Sequence, residues 1–203
     1  TKEGYNFNGW GIAEDISEYE NKWLIRRYEK QDKIATYVYK TDMLGQLLYN
    51  GYIEDGETSG NLGDHYVGYG CTYIYVDEET SYTGTIRTDD KGTLYVNNNI
   101  ITKTTYPTDV TVTFTLNKGW NKIEVVYFEI DGYDGLAFKP KLSTIGTMNA
   151  GIVKEDAINF NNENTNLYAQ WQETNIEDIV SVEEYTNSKS IEKTEEKIIT
   201  KEV

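Results

Sequence analysis

The sequence predicts an all-β protein folded as an antiparallel sandwich or barrel, and three observations lead to this fold class. Short segments in which apolar and polar residues alternate run through the middle of the 203-residue chain. Clusters of Gly, Asn and Asp separate these segments at regular intervals, as they do in antiparallel sheets. The composition agrees, because 18 Tyr and 4 Trp favour strands and only 2 Pro interrupt them.

Eight segments carry the strand pattern, and turn signals separate them. Along V-T-V-T-F-T-L (110–116) the apolar residues point to one face and the threonines to the other, which predicts a strand with one solvated side. A short helix is predicted around Ala13–Lys22. The predicted strands are Ile34–Tyr39, Gln46–Ile53, Cys71–Val76, Tyr82–Thr88, Thr93–Val96, Asp109–Leu116, Asn121–Phe128 and Leu136–Leu142.

Charge and composition disfavour several classes of function. The net charge of −15 argues against nucleic acid as a partner, because binding to phosphates requires Lys and Arg. No segment approaches the roughly 18 apolar residues of a membrane-spanning helix, so we expect no membrane insertion. Cys71 is the chain's one cysteine and is predicted to be a small buried hydrophobe rather than a nucleophile paired with His65. With no catalytic motif in the sequence, we predict that the chain is not an enzyme.

The segment Tyr82–Ile101 holds the main candidate site. The predicted strand Thr83–Arg87 runs into a turn that carries the adjacent acids Asp89 and Asp90. The next strand, Thr93–Val96, is closed by an Asn-rich turn at Asn97–Asn99. Two neighbouring carboxylates are costly unless a cation lies between them, and Ca²⁺ takes oxygen ligands. The turn is therefore a candidate metal and ligand site. The alternative is an ordinary solvated turn, since turns also require Asp, Asn and Gly.

The central block of the chain, over about residues 70–142, resembles the PA-fourteen domain, a β-sandwich first defined in anthrax protective antigen and shared by yeast flocculins and epithelial adhesins. The matching residues are T-G-T-I-R-T-D-D-K-G-T-L-Y-V-N-N-N (83–99), L-N-K-G-W-N-K-I-E-V-V-Y-F (116–128) and L-A-F-K-P-K-L (136–142). An Asp-Asp turn followed by a Gly-Trp strand is the family's pattern. Lys91 stands where the family has Gly, and its ammonium group is an alternative partner for the two acids.

This resemblance implies a calcium-dependent sugar site. In sugar-binding members, the Asp-Asp turn contains a cis peptide bond, both carboxylates hold Ca²⁺, and the ion coordinates neighbouring sugar hydroxyls. A second loop at 131–135 would add carboxylates, with Gly for close backbone approach and Tyr for stacking on a sugar ring. The alternative for this loop is a plain hairpin turn. The implied residues are Asp89, Asp90, Asp131 and Asp134 for the metal, and Asp89, Asp90, Gly132 and Tyr133 for the ligand.

The two flanks resemble a different family, the internalin-type B repeat, which is a small β-grasp-like module of Gram-positive surface proteins. T-K-E-G-Y-N-F-N-G-W (1–10) is similar to the middle of this repeat, and A-I-N-F-N-N-E-N-T-N-L-Y-A-Q-W (157–171) is similar to its end. The resemblance implies a sandwich inserted into the repeat, an arrangement tolerated where the termini of the inserted domain are close together. In this arrangement the repeat consists of residues 1–16 and 150–172, and its first strand would precede residue 1. The sandwich covers residues 17–149, and residues 173–203 form a linker or the start of a next module.

The flank aromatic residues are expected to form a small core of their own, because they alternate along the chain. In this core Tyr5, Phe7 and Trp10 pack against Leu167, Ala169 and Trp171. The tail is rich in Glu, Lys, Thr and Ser, and its segment Glu192–Val203 suits a charged helix, a strand of a following module or a linker.

Together, the two resemblances imply an extracellular module attached to a cell wall or cell surface. The function expected first is that of a monomeric adhesin module that binds a glycan or another surface ligand, with Ca²⁺ as cofactor. Two alternatives stay open. One is a structural or protein-contact module of a stalk, without a ligand, and the other is a binding module appended to an enzyme or toxin.

Overall fold

The computed structural model describes residues 2–29, 36–56, 65–105, 109–130, 136–153 and 166–173. Helical structure in these ranges is limited to 3-10 turns at Ser17–Tyr19, Lys40–Asp42 and Leu142–Thr144. None of these turns is long and apolar enough to cross a bilayer. The strands are β1 Tyr5–Gly11, β2 Lys22–Glu29, β3 Leu47–Glu54, β4 Tyr66–Val76, β5 Thr80–Thr88, β6 Lys91–Val96, β7 Asn99–Thr105, β8 Val110–Leu116, β9 Gly119–Glu129, β10 Leu136–Lys139, β11 Thr147–Asn149, β12 Ile152–Val153 and β13 Tyr168–Glu173.

The strands of the described ranges form three antiparallel sheets. The large sheet has the order β3-β2-β4-β9-β6-β7, with β11 also paired to β4. The small sheet has the order β10-β5-β8, and the flank sheet has the order β12-β1-β13. The predicted all-β, antiparallel sandwich is thereby confirmed, since the large and small sheets pack face to face over a shared core.

The main core lies between the large and small sheets. Tyr82 and Ile86 of the small sheet pack in one cluster with Ile25, Ile74 and Ile123 of the large sheet, and all five side chains are at most 1% exposed. Strand β8 shows the predicted alternation, with its apolar positions facing the core and its threonines in solvent. Burying this apolar surface is the main favourable term in folding. The buried apolar residues of β8 are Val112, Phe114 and Leu116.

The opposite face of the large sheet is also covered. Four apolar residues pack on the outer face of β4, β6 and β9. Val38 and Met43 come from the segment before β3, and Ile16 and Ile152 come from the flanks. Nearly every residue of β4 is therefore buried. Cys71 of β4 is only 7% exposed, which confirms the prediction of a small buried hydrophobe.

Two predicted elements are wrong in the described ranges. The helix around Ala13–Lys22 is replaced by the 3-10 turn Ser17–Tyr19, and β2 begins at Lys22. Residues 36–39 of the predicted strand Ile34–Tyr39 are not in a strand, while residues 34–35 lie outside the described residues. The reason is tertiary: Val38 is fully buried on the outer face of the large sheet, and its carbonyl oxygen accepts the hydroxyl of Thr93.

Three strands of the large sheet, β2, β7 and β11, were not predicted. The pattern of β2 is visible in hindsight, because its residues alternate between buried and half-buried from Trp23 to Arg27. The pattern of β7 is weaker, since this strand lies at the edge of the large sheet and Ile100 is 48% exposed.

The flank sheet brings the predicted aromatic residues together. Phe7 pairs with Trp171 and Trp10 pairs with Ala169, with a register shift between Phe7 and Trp10. Gly9 lies at this shift with φ +109°, a value that favours glycine, and the bulge places both rings on one side. The ring centroids of Phe7 and Trp10 are 5.4 Å apart, and those of Phe7 and Trp171 are 5.6 Å apart. The proposed domain boundaries stay a prediction, and residues 154–165 and 174–203 lie outside the described residues.

Candidate functional site

The Asp89–Asp90 turn links the two faces of the sandwich. β5 ends at Thr88 in the small sheet, and β6 begins at Lys91 in the large sheet, so the two acids occupy the crossing between them. The peptide bond between Asp89 and Asp90 is cis, as the family resemblance implied. The turn is thus a corner of the sandwich rather than the tip of a hairpin.

Asp90 is held in place by β9 and by the residue that follows this strand. Its backbone N–H donates to the carbonyl oxygen of Phe128 at 2.8 Å, and its Oδ2 accepts the backbone N–H of Ile130 at 2.8 Å. The residue is 8% exposed, whereas Asp89 is half-buried. The backbone therefore fixes the position of the Asp90 carboxylate without any ligand.

A third carboxylate, which the sequence analysis missed, belongs to the same cluster. Glu129 is the last residue of β9, and it is fully buried. One carboxylate oxygen from each of Asp89, Asp90 and Glu129 lies within 4.8 Å of the other two. The available signal was an acid directly after the apolar run V-V-Y-F, because an acid at a buried strand end needs a partner.

The arrangement of these three carboxylates suits a hard cation. Ionised carboxylates at this separation repel one another, and a cation between them lowers that repulsion. Ca²⁺ binds about six to eight oxygen ligands, which three carboxylates can supply in part while leaving positions for other oxygens. Exposed acidic groups are also common without an ion, so the burial of Asp90 and Glu129 is the informative feature.

Four further predicted site residues lie outside the described residues, so their roles stay predictions: Asp131, Gly132, Tyr133 and Asp134. The Nζ atom of Lys91 lies 5.9 Å from the centroid of the Phe128 ring, next to the Asp-Asp turn. Ile130, whose backbone N–H donates to Asp90, lies beside the carboxylate cluster and directly precedes residue 131 in the sequence.

The carboxylate cluster and the flank sheet lie at opposite ends of β9. Glu129 ends this strand at the cluster, and Trp120 near its start donates its indole N–H to Asn8 of β1, at 2.9 Å to the backbone oxygen and 3.0 Å to Oδ1. A strand of this length spans about 30 Å. The cluster and the contact with the flank sheet are therefore about 30 Å apart along β9.

Cys71 does not have the environment of a nucleophile. Burial raises the pKa of the Cys71 thiol to about 11, so the thiolate is a minor species at neutral pH. His65 precedes β4 and lies six positions earlier along an extended chain, on the order of 20 Å away. These two residues do not form a nucleophile–base pair.

No family model matches the sequence, and no curated protein matches it. Among solved structures, the chain is similar to the PA14 domain of the MpAFP antifreeze protein, at 10% identity with a TM-score of 0.41, covering 83% of this chain and 92% of that one. It is also similar to an anti-sigma factor domain-containing protein, at 15% identity with a TM-score of 0.43, covering 57% and 41% of the two chains. A β-glucosidase from Kluyveromyces marxianus matches at 13% identity with a TM-score of 0.41, covering 65% and 17%.

These likenesses carry no argument about family or function, because the TM-scores and identities are low. The chain spans less than half of the anti-sigma factor domain-containing protein and about a sixth of the β-glucosidase. The carboxylate cluster itself is the feature that indicates a site.

Proposed function

We propose that this chain is an extracellular adhesin module that binds carbohydrate through Ca²⁺ held by Asp89, Asp90 and Glu129. The observation that carries the proposal is the convergence of three carboxylates within 4.8 Å, two of them buried. Asp131 and Asp134 in the following loop are the further ligands we expect, and Tyr133 is the expected stacking surface for a sugar ring.

The chemistry of binding follows from the donor set. The bound ion supplies a strong electrophilic contact for two neighbouring hydroxyls of a sugar. The chain's own residues hold that position: Asp90 is oriented by two backbone hydrogen bonds, and Glu129 is fixed at the end of a buried strand. A site prepared in this way loses little conformational entropy on binding, which favours affinity.

The position of the cluster on the sandwich supports an adhesive role. The cluster lies at the end of β9 that is remote from Trp120 and Asn8, where the flank sheet contacts the sandwich. If the flanks connect the module to a cell surface, the cluster lies at the end of β9 that is remote from that surface.

The first experiment is thermal unfolding with Ca²⁺ and with chelator. An ion at about 100 times its dissociation constant adds roughly 2.7 kcal/mol to the unfolding free energy, which raises Tm by about 5–10 °C for a domain of this size. We expect this shift in the native chain and in a control, Asp77→Asn, which neutralises an exposed acid at the far end of β4. We expect no shift in Asp90→Asn. An equal shift in Asp90→Asn would reject the cluster as the metal site.

The second experiment tests the sugar. The chain is applied to a glycan array with Ca²⁺ and then with chelator. Retention on defined glycans that is lost with chelator and in Asp90→Asn supports the proposed function. A calcium shift without any calcium-dependent glycan would favour the stalk module, in which the ion has a structural role.

A further inference from the structure

The free edge of the large sheet points to self-association, and we propose that two copies of this chain pair through β3 to form a symmetric dimer. Strand β3 is the terminal strand of the large sheet, and within the described residues it pairs with β2 alone. A terminal strand presents a row of backbone N–H and C=O groups to which another strand can bind. The resemblances in the sequence implied a monomeric module, so this proposal departs from that expectation.

The side chains at this edge are apolar and exposed. Leu47 and Leu48 are 45% and 54% exposed, and Leu44, which precedes the strand, is 52% exposed. With Tyr52 of β3, they account for four of the seven large apolar side chains that are exposed in the described part of the chain. Single exposed leucines are ordinary, but a group of them at one edge indicates a contact surface.

The core of the sandwich is open on this side. Alternate residues of β3 point to the core, and Tyr49 and Ile53 pack against the main cluster while only half-buried. Leu47 belongs to the same face of the strand and remains largely exposed. A further strand beside β3 would cover these three side chains and so extend the core.

The opposite edge of the large sheet has a feature that disfavours pairing. Its terminal strand β7 contains Lys103, and a lysine on an edge strand deters pairing because its charge would lose water. Strand β3 contains no Lys or Pro, and its single charged residue, Glu54, lies at its end. Of the two edges, β3 is therefore the one suited to pairing.

The sequence of β3 is complementary to itself, which argues for a second copy as the partner. A two-fold axis perpendicular to the sheet keeps the core faces of both copies on one side, so it pairs residues of the same face. An axis at Asn50 brings the two Asn50 side chains together. On the outer face, Leu48 of one copy then lies opposite Tyr52 of the other. On the core face, Leu47 lies opposite Ile53, so apolar residues meet on both faces.

The neighbouring choice of axis is less favourable. An axis at Gly51 would place Leu48 opposite Glu54, an apolar side chain against a charge. The axis at Asn50 instead places Glu54 opposite Gln46, whose side-chain amide can donate to the carboxylate. The proposal is therefore specific about register, with Asn50 opposite Asn50.

The charges at the ends of the pairing determine its salt dependence. Each end holds Glu54 with its partner Lys22 at 3.6 Å, and also Glu29 of the second copy, whose side chain lies against Gly45. Each copy also has a net charge of −15. Both features make the copies repel at low salt, so association should strengthen as salt is raised.

Pairing through β3 is independent of the proposed function. It uses none of the three carboxylates of the cluster, and it is therefore tested in chelator. A dimer carries two copies of the cluster, and two linked sites raise the avidity for a surface that presents many ligands. Either proposal can fail without the other.

Analytical ultracentrifugation of the whole chain measures association. We expect a monomer–dimer equilibrium with Kd of about 100 µM or tighter, the weak range of a small interface. Leu48→Lys places a charge at the pairing surface and should raise Kd at least about tenfold. Ile100→Lys makes the same change on β7, where Ile100 is 48% exposed, and should leave Kd unchanged. A chain that stays monomeric well above that concentration, or equal Kd values in the two variants, would overturn the proposal.

Cysteine cross-linking tests the register. Residues directly opposite in an antiparallel pair have Cα atoms about 4.5–5.5 Å apart, within the range of a disulfide. Asn50→Cys should therefore form an intermolecular disulfide under mild oxidation. Glu54→Cys is the control, because this register separates the two copies of that position by about 27 Å along the strands. Cys71 is buried and should not contribute. Equal cross-linking of the two variants, or none in Asn50→Cys, would reject this pairing.

Discussion

The Oδ2 of Asp90 accepts the backbone N–H of Ile130 at 2.8 Å, a contact between residues 40 positions apart in the chain. It joins the crossing between the two sheets to the first residue of the segment that follows β9. The same side chain therefore has two roles, as a hydrogen-bond acceptor in the fold and as a proposed metal ligand, and substitutions can separate them.

Two substitutions of Asp90 separate these roles. Asp90→Asn keeps an oxygen that can accept the Ile130 N–H but removes the charge, so in chelator we expect stability within about 1 kcal/mol of the native chain. Asp90→Ala removes the acceptor as well and should lower the unfolding free energy by about 1–2 kcal/mol more. Both should abolish the calcium shift. Urea unfolding with and without Ca²⁺ gives both quantities, and a calcium response retained by Asp90→Asn contradicts the assignment.

Glu129→Gln tests the proposed metal ligand that the sequence did not reveal. If Glu129 helps to hold Ca²⁺ as proposed, removing its charge should weaken Ca²⁺ binding at least about tenfold. Calcium titration by calorimetry measures the affinity, with Asp77→Asn as the matched control. Unchanged affinity in Glu129→Gln would limit the site to the Asp-Asp turn and the following loop.

Tyr82→Phe tests a hydrogen bond at the edge of the main core. The Tyr82 hydroxyl donates to the Pro140 carbonyl oxygen at 2.7 Å, and its loss should cost about 1 kcal/mol. Burial raises the pKa of Tyr82 to about 12, so above about pH 10 the unfolded chain loses this proton while the folded chain keeps it. Stability should therefore fall as pH rises from 10 towards 12, and the fall should be smaller in Tyr82→Phe. Urea midpoints across this pH range measure the difference, and parallel pH profiles for the two proteins would contradict the expectation.

Glu124→Gln tests the charge cluster that Lys40, Lys122 and Tyr69 form around the buried Glu124. Burial alone would raise the pKa of Glu124, but hydrogen bonds from Lys40, Lys122 and Tyr69 outweigh it and hold this pKa below its usual value. The Tyr69 hydroxyl donates at 2.7 Å, and Lys122 lies at 2.9 Å. Since the folded pKa is lowered, this pair network stabilises the fold above about pH 4 and loses that effect as pH falls further.

We expect Glu124→Gln to lower the unfolding free energy at neutral pH by about 2–3 kcal/mol, between the values for buried and exposed ion pairs. The stability lost between neutral pH and pH 3 should also become smaller. Glu54→Gln is the control, because its pair with Lys22 is 3.6 Å long and exposed, and should change stability by less than about 1 kcal/mol. Chemical unfolding at neutral pH and at pH 3 measures the stability of both variants. Equal losses of unfolding free energy in Glu124→Gln and Glu54→Gln would argue against a stabilising buried network.

Gly68→Ala tests how closely β4 and β9 pack. A Cβ added at Gly68 would overlap the ring of Tyr127, which is fully buried and lies opposite in the register. Overpacking of this kind costs about 1–3 kcal/mol or more. The double variant Gly68→Ala with Tyr127→Leu should recover part of that loss, because the smaller side chain makes room for the methyl group. Thermal unfolding of both variants is the measurement, and no loss in the single variant would show that the ring can move.

Local patterns in the sequence predicted much of the sandwich. The alternation in 110–116 predicted β8 and its solvated threonines, and the Asn-rich segment after β6 predicted a turn. In the structure Asn97 and Asn98 both have positive φ, as the tight turns of hairpins require. Sequence patterns were less informative in two places. The edge strand β7 was missed, and residues 36–39, which lie across the outer face of the large sheet, were wrongly assigned to a strand.

The sequence by itself determined that the chain is antiparallel all-β and that two acids lie together in a turn, because alternation and turn chemistry act between near neighbours in the chain. Only the tertiary structure decided that β5 and β6 belong to different sheets, that Glu129 joins Asp89 and Asp90, and that Trp120 meets Asn8. The physical reason is that strand partners and sheet packing depend on contacts between residues far apart in sequence, where one face of a strand fits another.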